Sequence, residues 1–225
     1  MVFGVKMKVW LTQTEITANN LATKISAKSV ITPVLISKAL PKQNLTITDN
    51  TWLIITSITA ISYWYLPKPK NVIVMGQASA DYAKAQGFVE PIVFAGLGSE
   101  ALLKNVTIPK HAEIIVASAS SRRGLLEPEL TRQGYQVTSL DLYENLAHKT
   151  NITAIAKQIA DTDLIVVASQ QAIDLLLPLL KQKPITWLTL PRLANSLKNQ
   201  VQGKILVAND SYGLAELANK CYLGG

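Results

Sequence analysis

Four serines carry the first suggestion of chemistry. Ser57, Ser79, Ser99 and Ser169 each stand where a short apolar run gives way to a helical pattern. At such a turn the hydroxyl caps the helix, and the first backbone N–H groups, with their partial positive charge, point beyond the strand, an arrangement suited to carboxylates. Ser118-Ala119-Ser120-Ser121-Arg122-Arg123 follows the apolar Ile114–Val116. Two guanidiniums, which pair carboxylates bidentately, are therefore expected on a loop at the same edge. Tyr143 lies between Leu142 and Glu144; its phenol is neutral at pH 7, and the ring either packs or donates a proton. Gly98-Ser99 opens a further helical pattern but lacks the third glycine and the Lys-Ser/Thr that nucleotide loops require. These residue types suit the handling of an anionic ligand.

Other chemistries lose their residues. The chain has two histidines, His111 and His148, and one cysteine, Cys221. Neither a disulfide framework nor a zinc site with the usual ligand spacing can be assembled from them, so metal-free catalysis is expected. His111 precedes a strand and His148 falls in a linker, which leaves no Ser-His-Asp arrangement. Asp161 and Asp163 flank a strand start and read as solubilising. The net charge of +7 comes from 22 basic and 15 acidic residues, spread without a Lys/Arg run, so nucleic acid is not expected as a partner. With 48% hydrophobic and 16% charged residues, the chain is a globular one and not a disordered one. No apolar run approaches the ~18 residues of a membrane span, and Met1–Trp10 has no apolar stretch ending in a cleavage site. A cytoplasmic protein without membrane association is the expectation.

The elements that must position these residues repeat. Leu53-Ile-Ile-Thr-Ser57-Ile-Thr-Ala60-Ile61 recurs as Ile165-Val-Val-Ala-Ser169-Gln-Gln-Ala172-Ile173, a strand, a turn and a helix in each copy. Two further strand-helix units follow each copy, and another opens the chain. Short, wholly apolar runs alternating with helical segments predict parallel sheets covered on both faces. Two extended segments break the alternation, and they divide the chain into an α/β domain of 1–32 plus 148–225 and an inserted α/β domain of 42–138. The linkers, 33–41 and 139–147, are expected to form a two-stranded connection.

This pattern resembles the uroporphyrinogen-III synthase family over essentially the whole chain. The resemblance rests on Val9-Trp-Leu-Thr12 before a helix, Ile55-Thr-Ser57-x-x-Ala60, Val74-Met-Gly76-x-x-Ser79-Ala80, Gly98-Ser99-Glu100-Ala-Leu-Leu103, the Arg123 loop ahead of Leu130 and Gly134-Tyr-x-Val137, Leu142-Tyr143-Glu144, Val167-Ala-Ser169-x-x-Ala172 and Leu190-Pro-Arg192-Leu-Ala194. Departures occur at Gln13 and Thr14, where such proteins commonly have Arg-Pro, at Ser118, where Arg-Gly often follows the strand, and at Thr189, in place of Gly or Ser.

The resemblance implies that the linear tetrapyrrole hydroxymethylbilane, which carries eight carboxylates, loses water, inverts its last pyrrole ring through a spirocyclic intermediate and closes to uroporphyrinogen III. It implies an interdomain cleft as the place of reaction, a monomeric lyase of porphyrin and haem biosynthesis, and no cofactor. Thr12, Ser57, Gly76, Ser79, Ala80, Gly98, Ser99, Arg123, Ser169, Thr189 and Arg192 match its substrate-binding positions. Tyr143 matches a family tyrosine and is the candidate proton donor, with a phenol pKa expected to be lowered by positive helix ends. The alternative is a two-domain protein that binds a tetrapyrrole or another small molecule without turning it over.

Overall fold

Apolar runs too short for helices make the strands. In chain order the described residues form β1 (Val9–Leu11), α1 (Glu15–Ala22), β2 (Ser29–Ile31), β3 (Leu35–Ala39), β4 (Thr51–Ile55), α2 (Ile58–Ser62), β5 (Asn71–Met75), α3 (Gln77–Ala85), β6 (Ile92–Phe94), β7 (Glu113–Ala119), α4 (Leu126–Arg132), β8 (Gln136–Ala147), α5 (Lys149–Gln158), β9 (Leu164–Val166), α6 (Gln170–Leu180), β10 (Thr186–Thr189), α7 (Pro191–Leu197), β11 (Ile205–Val207) and α8 (Ser211–Leu223). The structure, a computed structural model, describes residues 7–94, 102, 107–122 and 124–223. The chain divides into two units, Met1–Ile36 with Leu146–Gly225, and Ser37–Asn145.

The first unit holds a five-stranded sheet in the order β11-β10-β9-β1-β2, every pairing parallel. Successive strand residues face opposite sides, so one apolar run feeds two cores. Trp10, Ile165, Val167 and Trp187 pack with Ile155 of α5, Ile173, Leu176 and Leu180 of α6 and Leu193 of α7. Their neighbours Val9, Leu11, Leu164, Val166 and Leu188 pack on the other face with Ala18 and Leu21 of α1 and Leu214, Ala215 and Ala218 of α8. Each Val, Leu or Ile buried in this way contributes about 1.5–3 kcal/mol.

The second unit's sheet runs β3-β8-β7-β4-β5-β6. The pairs among β8, β7, β4, β5 and β6 are parallel. Ala60 and Ile61 of α2 and Ala80 and Ala83 of α3 cover one face, while Leu126 and Leu130 of α4 cover the other. The expectation of parallel sheets flanked by helices therefore holds.

The segment 139–147, which the sequence presents as a linker, is the later part of the twelve-residue β8. The start of β8 lies parallel to β7, from Gln136 opposite Glu113 to Asp141 opposite Ser118, and the register then shifts so that Tyr143 faces Ala119. Beyond the shift it pairs with β3, where Leu40 N donates to Leu142 O at 3.0 Å and His148 N to Val34 O at 2.8 Å. Those rungs run in opposite senses along the two strands, so this ladder is antiparallel.

Asp163 departs from its sequence expectation. Far from solubilising, it is 1% exposed. Its carboxylate accepts from Lys8 N at 3.0 Å, Trp10 Nε1 at 2.8 Å and Ala160 N at 2.9 Å. It ties the entry of β9 to β1, the strand beside it. Three N–H donors satisfy the buried carboxyl group here.

Candidate functional site

Both sheets have a point where the winding reverses. In the first unit β1 leads through α1 outward to β2, while β9 leads through α6 the other way to β10, and α1 and α6 lie on opposite faces. In the second unit β4 leads through α2 to β5, while β7 leads through α4 to β8, again with helices on opposite faces. In open α/β sheets, ligands bind beyond the carboxyl ends of the strands at such a reversal.

At the first unit's reversal, Ser169 caps α6 in extended conformation, its hydroxyl accepting from Ala172 N at 3.2 Å. Thr12 and Thr189, both wholly buried, flank β9 from either side. Their hydroxyls donate to Val166 O at 2.6 Å and Val167 O at 2.8 Å. Both hydroxyls therefore hold the carboxyl ends of three adjacent strands in register. Arg192, near the start of α7, is exposed, and its Nη2 donates to Ala168 O at 3.2 Å.

At the second unit's reversal, Ser57 caps α2 and accepts from Ala60 N at 3.0 Å. The Tyr143 hydroxyl lies 3.1 Å from Ser57 Oγ. Its ring stacks on Tyr63 with centroids 5.3 Å apart and planes 17° from parallel. Serine cap and phenol, 86 residues apart in sequence, are thus brought together. Tyr143 is 4% exposed. Burial pushes its phenol pKa above the ordinary value of 10.0, outweighing the hydrogen bonds from Ser57 and Thr59 that act to lower it. The expected lowering is thereby overturned, because desolvation of a phenolate inside an aromatic core exceeds what nearby dipoles return.

Two further expectations change. Ser79 is not a cap: Gly76 holds that place, with φ +82°, and Ser79 and Ala80 lie buried in the first turn of α3. A Cβ at Gly76 would meet nothing within 4 Å, so glycine is required there by the backbone conformation and not by crowding. Arg122, on the loop proposed for anions, is already occupied within the unit. It pairs with Glu127 and Asp141, donates to Ser139 and reaches Ala119 O at 3.3 Å. Gly98, Ser99 and Arg123 lie outside the described residues.

Gln13, singled out by the sequence only as a departure and not as a binding residue, has a buried side-chain amide with no hydrogen-bond partner among the described residues. A cavity of about 240 Å³ sits at the other end of the second sheet, by Thr51, Glu113 and Gln136, away from these residues. Among the described residues no cluster of three His, Cys, Asp or Glu could hold a metal, and no helix is long and apolar enough to cross a membrane.

Helix caps of this kind act locally. Ser57→Ala and Ser169→Ala are each expected to lower stability by about 1 kcal/mol, as loss of a cap does. If these helix starts hold an anionic substrate through backbone N–H groups, turnover should fall only a few-fold, since those groups remain. Urea melts and steady-state kinetics on both variants check this; a Ser→Ala change that abolished turnover in a folded protein would contradict it.

A family profile described as uroporphyrinogen-III synthase HemD matches residues 18–204. No curated protein sequence matches the chain. Among solved structures, uroporphyrinogen-III synthetase from Helicobacter pylori is similar with a TM-score of 0.61 at 16% identity, over 96% of this chain and 99% of that one. A mutant uroporphyrinogen III synthase from the extremely thermophilic bacterium Thermus thermophilus gives 0.56 at 15% identity, over 97% and 100%. At such identities the structures speak for the fold, and the profile speaks for the family.

Proposed function

The chain belongs to the uroporphyrinogen-III synthase family, and we propose that it closes hydroxymethylbilane to uroporphyrinogen III, inverting the last pyrrole ring and releasing water. The match across 18–204 is the observation that carries this reading. The chemistry asks little of the protein. Protonation of the terminal hydroxymethyl oxygen lets the C–O bond break, its electron pair leaving with water, while the pyrrole nitrogen delocalises the cation left behind. Attack by the last ring's substituted carbon gives the spirocyclic intermediate, whose opening and reclosure invert that ring, and a proton is finally lost. A proton donor and a site that holds the chain bent suffice.

The described residues supply candidates for both roles. Helix N-termini at Ser57, Gly76 and Ser169 offer N–H groups and positive dipole ends to the substrate's carboxylates. Tyr143, kept protonated by burial, is the proposed donor, held by Ser57. Thr12 and Thr189 shape the first unit's strand ends, and Arg192 is an exposed cation at the same edge.

The second reading, binding without turnover, draws on the low exposure of Tyr143 and the internal pairing of Arg122. Substrate in large excess over protein separates the two. The enzyme reading expects many bilanes consumed per chain at a rate well above spontaneous closure. A binding protein would instead protect one bilane per chain and slow its loss.

A further inference from the structure

Gln13 is 7% exposed, and neither its Oε1 nor its Nε2 finds a hydrogen-bond partner among the described residues. A buried amide with donor and acceptor both unmet destabilises the state that holds it, and native chains keep few such groups. Its place supplies a reason. Gln13 follows β1 directly after Thr12, whose hydroxyl is committed to Val166 O, and it precedes α1, which starts at Glu15. That is the point between β1 and β9 where the first sheet's winding reverses.

We propose that Gln13 reads the substrate at this point, Nε2 donating to a side-chain carboxylate of the tetrapyrrole and Oε1 accepting from a pyrrole N–H. The assignment rests on the ring-closure reading and deepens it. A linear tetrapyrrole presents an anionic acceptor and a neutral N–H donor a few bonds apart, which matches both unmet atoms of one amide. A simple polycarboxylate matches only one. Both amide atoms are closed to solvent in the ligand-free chain, so contact requires the bend at Thr12–Thr14 to open as the ligand enters. The group unmet in the free protein is then met in the complex.

Removing the polarity of Gln13 therefore acts in opposite directions on the two states. Gln13→Met keeps the length of the side chain and deletes both polar atoms. Its melting temperature without ligand should equal or exceed that of the unsubstituted protein. Its dissociation constant for uroporphyrinogen III, measured anaerobically, should rise about tenfold or more, with KM for hydroxymethylbilane rising alongside and kcat changing less. Gln13→Glu, which sets an anion against the carboxylate, should weaken binding further.

Unchanged affinity and KM in Gln13→Met, with stability raised, would overturn the proposal and leave the amide as a packing fault. A Gln13→Met chain too unstable to purify would also overturn it, since the amide would then have partners in the free protein. Binding is read separately from turnover: an unsubstituted chain that binds the tetrapyrrole without closing it sinks the ring-closure reading, while the comparison of affinities still decides the role of Gln13.

Discussion

Tyr143→Phe is expected to lower turnover of hydroxymethylbilane ~10²-fold or more, within the range found for loss of a general acid, with little change in affinity for product. The substitution keeps the ring that stacks on Tyr63 and removes only the hydroxyl beside Ser57 Oγ. Because burial raises the phenol pKa above 10.0, the group is neutral throughout the physiological range, as the proposed donor role requires. The same shift sets a stability dependence. With the folded pKa above the unfolded one, the contribution is fully present below about pH 10, the ordinary phenol value, and is lost as pH rises through the folded pKa. Tyr143→Phe should therefore flatten part of the alkaline decline in stability seen in urea melts. Near-normal turnover in Tyr143→Phe, with Tyr143→Ala losing stability, would make the ring a packing element and water the proton donor.

Asp163→Ala is expected to destabilise the first unit by about 2–3 kcal/mol, the order anticipated when one buried and two part-buried donors lose their acceptor together. Lys8 N, Trp10 Nε1 and Ala160 N would all be left without a partner inside the fold. Asp163→Asn retains one acceptor oxygen and should lie between the two. Denaturant titrations followed by the fluorescence of Trp10 and Trp187 read the effect. A loss below about 1 kcal/mol in Asp163→Ala would mean that water reaches these donors readily.

What is local in the fold is legible in the sequence. Apolar runs such as Leu53–Ile55 and Leu164–Val167 declare buried strands by their length and composition, and Ser57 and Ser169 declare caps because a cap bonds only three residues ahead. Ser79 misleads for the same local reason: Gly76 three residues earlier, free to take φ +82°, starts the helix sooner. Long-range pairings are not legible. The donors to Asp163 from Trp10 and Lys8 lie 153 and 155 residues away, and no spacing rule connects them. Arg122 finds Asp141 only because β7 and β8 adopt the register that sets Ser118 opposite Asp141. The environment of Tyr143 depends on the same sheet, together with the packing of Tyr63, so its identity as a candidate is visible beforehand while the direction of its pKa shift is not.

The isomer formed from hydroxymethylbilane tests the ring-closure proposal most directly. Spontaneous closure leaves the last ring as it was and gives uroporphyrinogen I, whereas closure with inversion gives uroporphyrinogen III. Purified protein incubated with the bilane, followed by oxidation and chromatographic separation of the porphyrins, should yield predominantly the type III isomer, in amounts many times the protein present. Type I alone, at the rate of a protein-free control, would contradict it.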